Sequence, residues 1–115
     1  MSRMGTRLWV AVVVLSSISA AASHAKAQNA ATVEISVKNH QFQPAQIRGP
    51  ANKPILLRVK NLDATPMEFE SVSLRVEKVV PANSDGVINL RPLQPGQYNF
   101  FDDFHQQTTG VLVIE

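Results

Sequence analysis

Residues 96–115 read GQYNFFDDFHQQTTGVLVIE, and their spacing decides the fold class. Tyr98 and Phe100 stand two apart. Farther on, Leu112 and Ile114 fall on one side of a second run, with Val111 and Val113 on the other. A period of two is the signature of a pleated strand, whose successive side chains point to opposite faces. Pro95-Gly96 ahead of the first run suits a tight turn entering a strand. Between the runs, FFDDFHQQTTG reads as a polar loop that carries two acids and a histidine.

The same period recurs upstream. TVEISVK places Val33, Ile35 and Val37 on one face, and PILLRVKN places Ile55, Leu57 and Val59 together. SLRVEKVV pairs Leu74 with Val76. Turn signals separate the runs at RGPANKP, NLDATP, PANSDG and LQPGQ. Pro44, just after Phe42, marks the start of a short edge segment. Seven or so short strands at this spacing predict an all-β antiparallel sandwich. No helical periodicity and no internal repeat competes with it.

The N-terminus has a different character. Arg3 and Arg7 precede an apolar run from Leu8 to about Ala22, and Ala25-Lys26-Ala27 is a small-x-small cleavage pattern. That layout predicts a secretory signal peptide over residues 1–27, with the domain at 28–115. The apolar run falls short of the roughly 20 residues a spanning helix needs. We therefore expect a periplasmic protein with no membrane insertion after cleavage. Without residues 1–27, eight basic residues face nine acidic ones, a net charge of −1 with histidine neutral. No basic cluster survives, so the composition offers nothing to nucleic acid. The sequence contains no cysteine, which excludes disulfides, thiol nucleophiles and thiolate metal ligands. No Gly-rich phosphate loop and no G-x-S-x-G elbow is present.

NHQFQPAQIRGPANKPILLRVKN and the closing residues Gly96, Tyr98, Phe100, His105, Gly110 and Leu112 carry a resemblance. They resemble the opening of a cupredoxin domain and its ending, G-x-Y-x-F-x-C-x-x-H-x-x-M-x-G-x-L. The likeness runs from about Thr32 to Glu115 and implies a Greek-key β-sandwich of cupredoxin type. This chain departs from the pattern at the ligands. Asp102 stands at the cysteine position, Thr108 at the methionine position, and Met67 at the first histidine position, which leaves His105. A blue-copper centre needs a thiolate, so the chain is not expected to be a blue-copper electron carrier.

TPMEFES, LRVEK and FFDDFH together resemble the small cupredoxin-like proteins of bacterial iron-uptake systems, including the EfeO-type N-terminal domain. That resemblance implies that Glu68, Glu70 and Glu77 replace soft ligands with carboxylates. The full candidate set is Met67, Glu68, Glu70, Glu77, Asp102, Asp103 and His105. Carboxylates and one imidazole suit iron, Cu(II), Mn(II) or Zn(II) better than Cu(I). Strand alternation divides the set into an inner group, Met67, Asp102 and His105, and an outer group, Glu68, Glu70, Glu77 and Asp103.

Each residue also has a plain structural reading. A surface glutamate is usually just solvated, Met67 can serve as packing, and His40 reads as a surface residue of an early turn. Asp102 is harder to set aside, because an inward carboxylate costs several kcal/mol, of order 2 to 7, unless paired. Backbone N–H groups, Arg75, Lys78 or Arg91 are its candidate partners.

Taken together, the expectation is a periplasmic protein that binds copper, iron or both and serves iron uptake. It would either assist Fe(II) oxidation, a ferroxidase-type activity, or pass iron to a permease or periplasmic iron-binding partner. The competing reading, from another class, is a metal-free adaptor whose acids recognise a protein partner.

Overall fold

The computed structural model describes residues 30–115, with Gly5 and Ala11 from the N-terminal segment. The signal-peptide reading of residues 1–27 therefore lies outside the described domain. Among the described residues, no helix is long and apolar enough to cross a membrane.

Among the described residues, nine strands form two sheets: β1 (Ala31–Lys38), β2 (Gln41–Gln43), β3 (Gln46–Gly49), β4 (Ile55–Asn61), β5 (Met67–Ser71), β6 (Val76–Val80), β7 (Ser84–Leu90), β8 (Gly96–Asp102) and β9 (His105–Ile114). One sheet has the order β2-β1-β4-β7 and the other β3-β9-β8-β5-β6. Most pairs are antiparallel, but β1 runs parallel to β4 and β3 parallel to β9. This is the all-β Greek-key sandwich expected from the sequence.

The alternation sorts the residues as predicted. Ile35, Val37, Ile55, Leu57, Val59, Leu112 and Ile114 are all buried in one core. Each fully buried aliphatic or Phe side chain contributes about 1.5–3 kcal/mol relative to exposure. At one end of the core, Phe42, Phe69 and Phe100 pack together. Phe69 stacks on Phe100 with centroids 4.8 Å apart, and Phe42 meets Phe100 edge-on at 4.9 Å. Gly110 is part of the same fit. A Cβ there would lie 2.4 Å from the Phe100 ring and 2.9 Å from the Ala45 carbonyl oxygen.

Three sequence readings change. PANSDG is not all turn, because β7 begins at Ser84 and buries Gly86, Ile88 and Leu90. Gly86 lies against the Val80 side chain, where a Cβ would come within 2.7 Å. Leu74 precedes β6 rather than lying on it, and Arg75 at φ 57° turns the chain into that strand. The polar stretch after Phe101 is mostly strand. A register shift between Phe101 and Asp102 leaves only Asp103 and Phe104 to make the turn, and β9 starts at His105 paired with Asp102. A bulge of this kind bends a strand and re-aims its side chains.

Candidate metal centre

The site is built on the turn between β4 and β5. Asn61, buried, donates through Nδ2 to the carbonyls of Thr65 at 2.8 Å, Val80 at 3.2 Å and Pro81 at 3.1 Å. Its Oδ1 accepts from the Asp63 N–H at 3.1 Å. One side chain thus fixes the NLDATP turn, presents Asp63 on one side of it and delivers the chain into β5 on the other.

Asp102 occupies the end of β8 above Phe69 and is fully buried. Its Oδ1 accepts the N–H groups of Glu68 and Phe104, each at 3.0 Å. Its Oδ2 lies 2.9 Å from His105 Nδ1. The partners are backbone donors and one imidazole. Arg91 instead donates to the Leu74 carbonyl. With three contacts the burial cost of the carboxylate is offset, and no polar side-chain atom buried among the described residues is left without a partner.

His105 in turn packs face to face with His40, ring centroids 4.0 Å apart at 30°. His40 is half-exposed, as its sequence context suggested, but its place in the fold was not legible there. It sits in the two-residue turn between β1 and β2, and Asp63 grips that turn. The Asp63 carboxylate accepts the Asn39 N–H at 2.7 Å and the His40 N–H at 3.0 Å. The His40 N–H holds the Asp63 carboxyl below its ordinary range, opposed by burial and helped by the Asn39 N–H and the two nearby imidazoles. Thr108, at the position where the cupredoxin pattern has methionine, donates its hydroxyl to the His40 carbonyl.

The outer group assembles on the opposite face of β5. Phe69 points inward, so Glu68 and Glu70 point out of the sheet. Glu77, on β6, is the cross-strand partner of Glu70. Asp103 reaches in from the β8–β9 turn, tied by its N–H to the Glu68 carbonyl at 2.9 Å. One carboxylate oxygen each from Glu68, Glu70 and Asp103 lie within 4.8 Å of one another. Glu68 is only 9 % exposed. Among the described residues, no Lys, Arg or His forms an ion pair with any of the four acids. Burial raises the Glu68 carboxyl above its ordinary range, reinforced by a hydrogen bond to Glu77 and by the charges of Glu77, Asp103 and Glu70. Burial also raises Glu70, with the charges of Asp103 and Glu77 adding to it.

Of the seven candidates, the structure brings Glu68, Glu70, Glu77 and Asp103 together, and separately pairs Asp102 with His105. Met67 is buried in the hydrophobic core beside its β6 partner Val80. A groove bounded by Ala45, Asn99, Phe101 and Val111 holds no titratable side chain.

This sequence matches the cupredoxin-like domain over residues 8–114. The chain belongs to the cupredoxin-like domain family. A relative from Rickettsia prowazekii (strain Madrid E), uncharacterized protein RP394, is 41% identical over 86 residues, 75% of this chain and 69% of that protein. Among solved structures, the metal-binding domain of the Cu(I)-exporting P-type ATPase CopA of Streptococcus pneumoniae, with Cu(I), superposes with a TM-score of 0.69. It is 13% identical over 76% of this chain and 87% of that domain. A purple cupredoxin from Nitrosopumilus maritimus superposes with a TM-score of 0.54 at 18% identity, over 74% of this chain and 99% of the other. At these identities the likeness is one of fold.

The cupredoxin fold implies a copper centre, and the side chains decide whether a blue one fits. It does not. The thiolate position holds a carboxylate whose two oxygens are both engaged, and the thioether position holds a hydroxyl bonded to a backbone carbonyl. The outer carboxylates are instead oxygen donors brought close with no ion-pair partner among the described residues, a set whose chemistry suits a hard cation.

Proposed function

We propose that this cupredoxin-like domain is a periplasmic binder of a hard or borderline metal ion that serves iron uptake, with iron as cargo. The observation that carries the reading is the outer cluster. Three carboxylate oxygens within 4.8 Å, two of the acids raised by burial and by one another, form an array that a cation would relieve. Carboxylates are hard ligands, and their summed negative charge favours Fe(III) over Fe(II). Glu68, Glu70 and Asp103 would hold the ion, with Glu77 completing the charge. The likeness of TPMEFES and LRVEK to iron-uptake cupredoxins supports iron as the cargo and an iron permease, or another periplasmic iron-binding protein, as the recipient. Export rests on the N-terminal pattern of residues 1–27.

Equilibrium dialysis against Fe(II) under exclusion of air, and separately against chelate-buffered Fe(III), Mn(II), Zn(II) and Cu(II), tests the reading. A stoichiometric ion lost in Glu70→Gln is expected. If no ion is retained and the melting temperature is unchanged, the reading fails, because a ligand that binds only the native state must stabilise it. The acids, beside the half-exposed Val79 and Phe104, would then be a surface for a basic protein partner.

A further inference from the structure

The β1–β2 turn is built in a way that its own stability does not ask for. Lys38 pairs with Gln41, so Asn39 and His40 alone make the turn, at φ 53° and 56°. Two consecutive left-handed residues define the hairpin turn in which Asn-Gly is the cheap choice. A side chain at the second position is strained there unless something holds it. Here Asp63 holds both N–H groups and Thr108 holds the His40 carbonyl from the far strand. The result of that clamp is to set the His40 ring against the His105 ring.

Each ring has a carboxylate at its Nδ1. His105 Nδ1 is 2.9 Å from Asp102 Oδ2, and His40 Nδ1 is 3.7 Å from Asp63 Oδ2. An ionised carboxylate only accepts hydrogen bonds, so a neutral His105 ring bonded to Asp102 carries its proton on Nδ1 and leaves the Nε2 lone pair free, while the His40 ring lies near Asp63 without a hydrogen bond to it. This carboxylate–imidazole arrangement is the one that orients histidines toward metals. Both side chains reach solvent, one half and the other a third exposed. Between them runs a groove lined also by Gln41, Gln106 and Gln107, with no Lys or Arg in it. Two imidazoles backed by two carboxylates balance the charge of a divalent ion.

We infer that His40 and His105 form a second metal site, a two-imidazole site for a borderline divalent cation such as Cu(II) or Zn(II), separate from the outer carboxylates. It differs from a cupredoxin centre in taking one ligand from the β1–β2 turn. Face-to-face rings cannot both point their nitrogens at one ion. The two rings are held unequally: Asp102 fixes His105 through a short hydrogen bond, whereas His40 has only the longer approach to Asp63. On loading, His40 turns about its side-chain bonds and the stacking ends, while His105 stays in place. The inference stands apart from the outer cluster and does not need it.

The test uses the exported protein with Cu(II) for electron paramagnetic resonance and Zn(II) for NMR. One equivalent of Cu(II) is expected to show two nitrogen ligands, and one equivalent of Zn(II) to shift the ring protons of both histidines together. Asn tolerates the left-handed turn, so His40→Asn keeps the hairpin. It should leave one nitrogen and weaken copper binding about tenfold or more, with Asp63→Asn giving a loss at the lower end of the 10–100-fold range for such supporting groups. Unchanged copper affinity and nitrogen count in His40→Asn overturn the inference, as does a parent protein that binds no copper. Glu70→Gln separates the two sites: it should abolish iron retention and leave the two-nitrogen signal intact. A two-nitrogen signal in a protein that never retains iron would sink the outer-cluster reading alone.

Discussion

Two groups of carboxylates lie on either side of β5, and they are treated in opposite ways. On the inner side, Asp102 and Asp63 are each met by two backbone N–H groups and an imidazole. On the outer side, Glu68, Glu70, Glu77 and Asp103 are met chiefly by one another, with one Gln106 amide on Asp103. The inner acids are structural members that also orient imidazoles. Glu68 and Glu70 stay at a cost to the folded state, because burial and the like charges around them favour their proton-bound forms. The cation proposed above would relieve that cost.

The strongest way to break this contrast is Asp102→Ala. It strips the Glu68 and Phe104 N–H groups and His105 of their partner in a fully buried place. A loss of about 3–5 kcal/mol is expected, read as a drop in the urea midpoint with little change in slope. A loss under 1 kcal/mol would mean that Asp102 is not the structural member it looks like. Next in size is the effect of loading. At a free ion concentration a hundredfold above Kd, the cargo ion should stabilise the protein by about 2.7 kcal/mol. Calorimetry should show this rise in the parent and none in the Glu68→Gln/Glu70→Gln double variant.

Thr108→Val sharpens the inner half. It removes the hydroxyl donor to the His40 carbonyl and should cost about 0.5–1.5 kcal/mol by denaturant titration. The stacked ring-proton shifts of His40 and His105 should move toward free values. The smallest effect is in the pH dependence of the metal-free protein. Glu68 and Glu70 have folded-state values raised above 4.5, so they bind protons more tightly folded than unfolded. Stability should therefore rise as pH falls from neutral toward that value. Asp63, lowered from 3.8, acts in the other direction: its contribution is present above 3.8 and is lost as pH falls through its lower folded value. A melting-temperature profile with a mildly acidic maximum is expected, and in the double Gln variant the acid-side gain should vanish. A profile flat from neutral to the ordinary Glu range in the parent would contradict the repulsion.

How much of this was legible in the sequence depended on how local the cause was. Two-residue alternation exposed β1, β4 and the end of β9, because each strand carries its own inward face. The division of the acids into two faces followed from the same rule around Phe69. β7 was hidden since its strand begins inside a turn-rich string and places Gly86 where a hydrophobic residue would have signalled it. The extension of β9 back to His105 depended on a bulge that polar residues do not announce. The inner pole was least visible. His40 meets Thr108 across 68 residues of chain, and Asp102 is satisfied mainly by backbone N–H groups, which leave no trace in side-chain identity.

β6 is the edge of its sheet, and Glu77 lies in the middle of it, next to Lys78 and the half-exposed Val79. An unpaired edge of valines is an invitation to a second copy of the chain. Two such edges brought side by side would set one acidic cluster against another, and their like charge would oppose the pairing. Neutralising the acids, with a cation or with protons, removes that guard. On the reading proposed above, the same four carboxylates would both hold the ion and oppose edge-to-edge pairing, so a loaded protein at high concentration is the form expected to self-associate most readily.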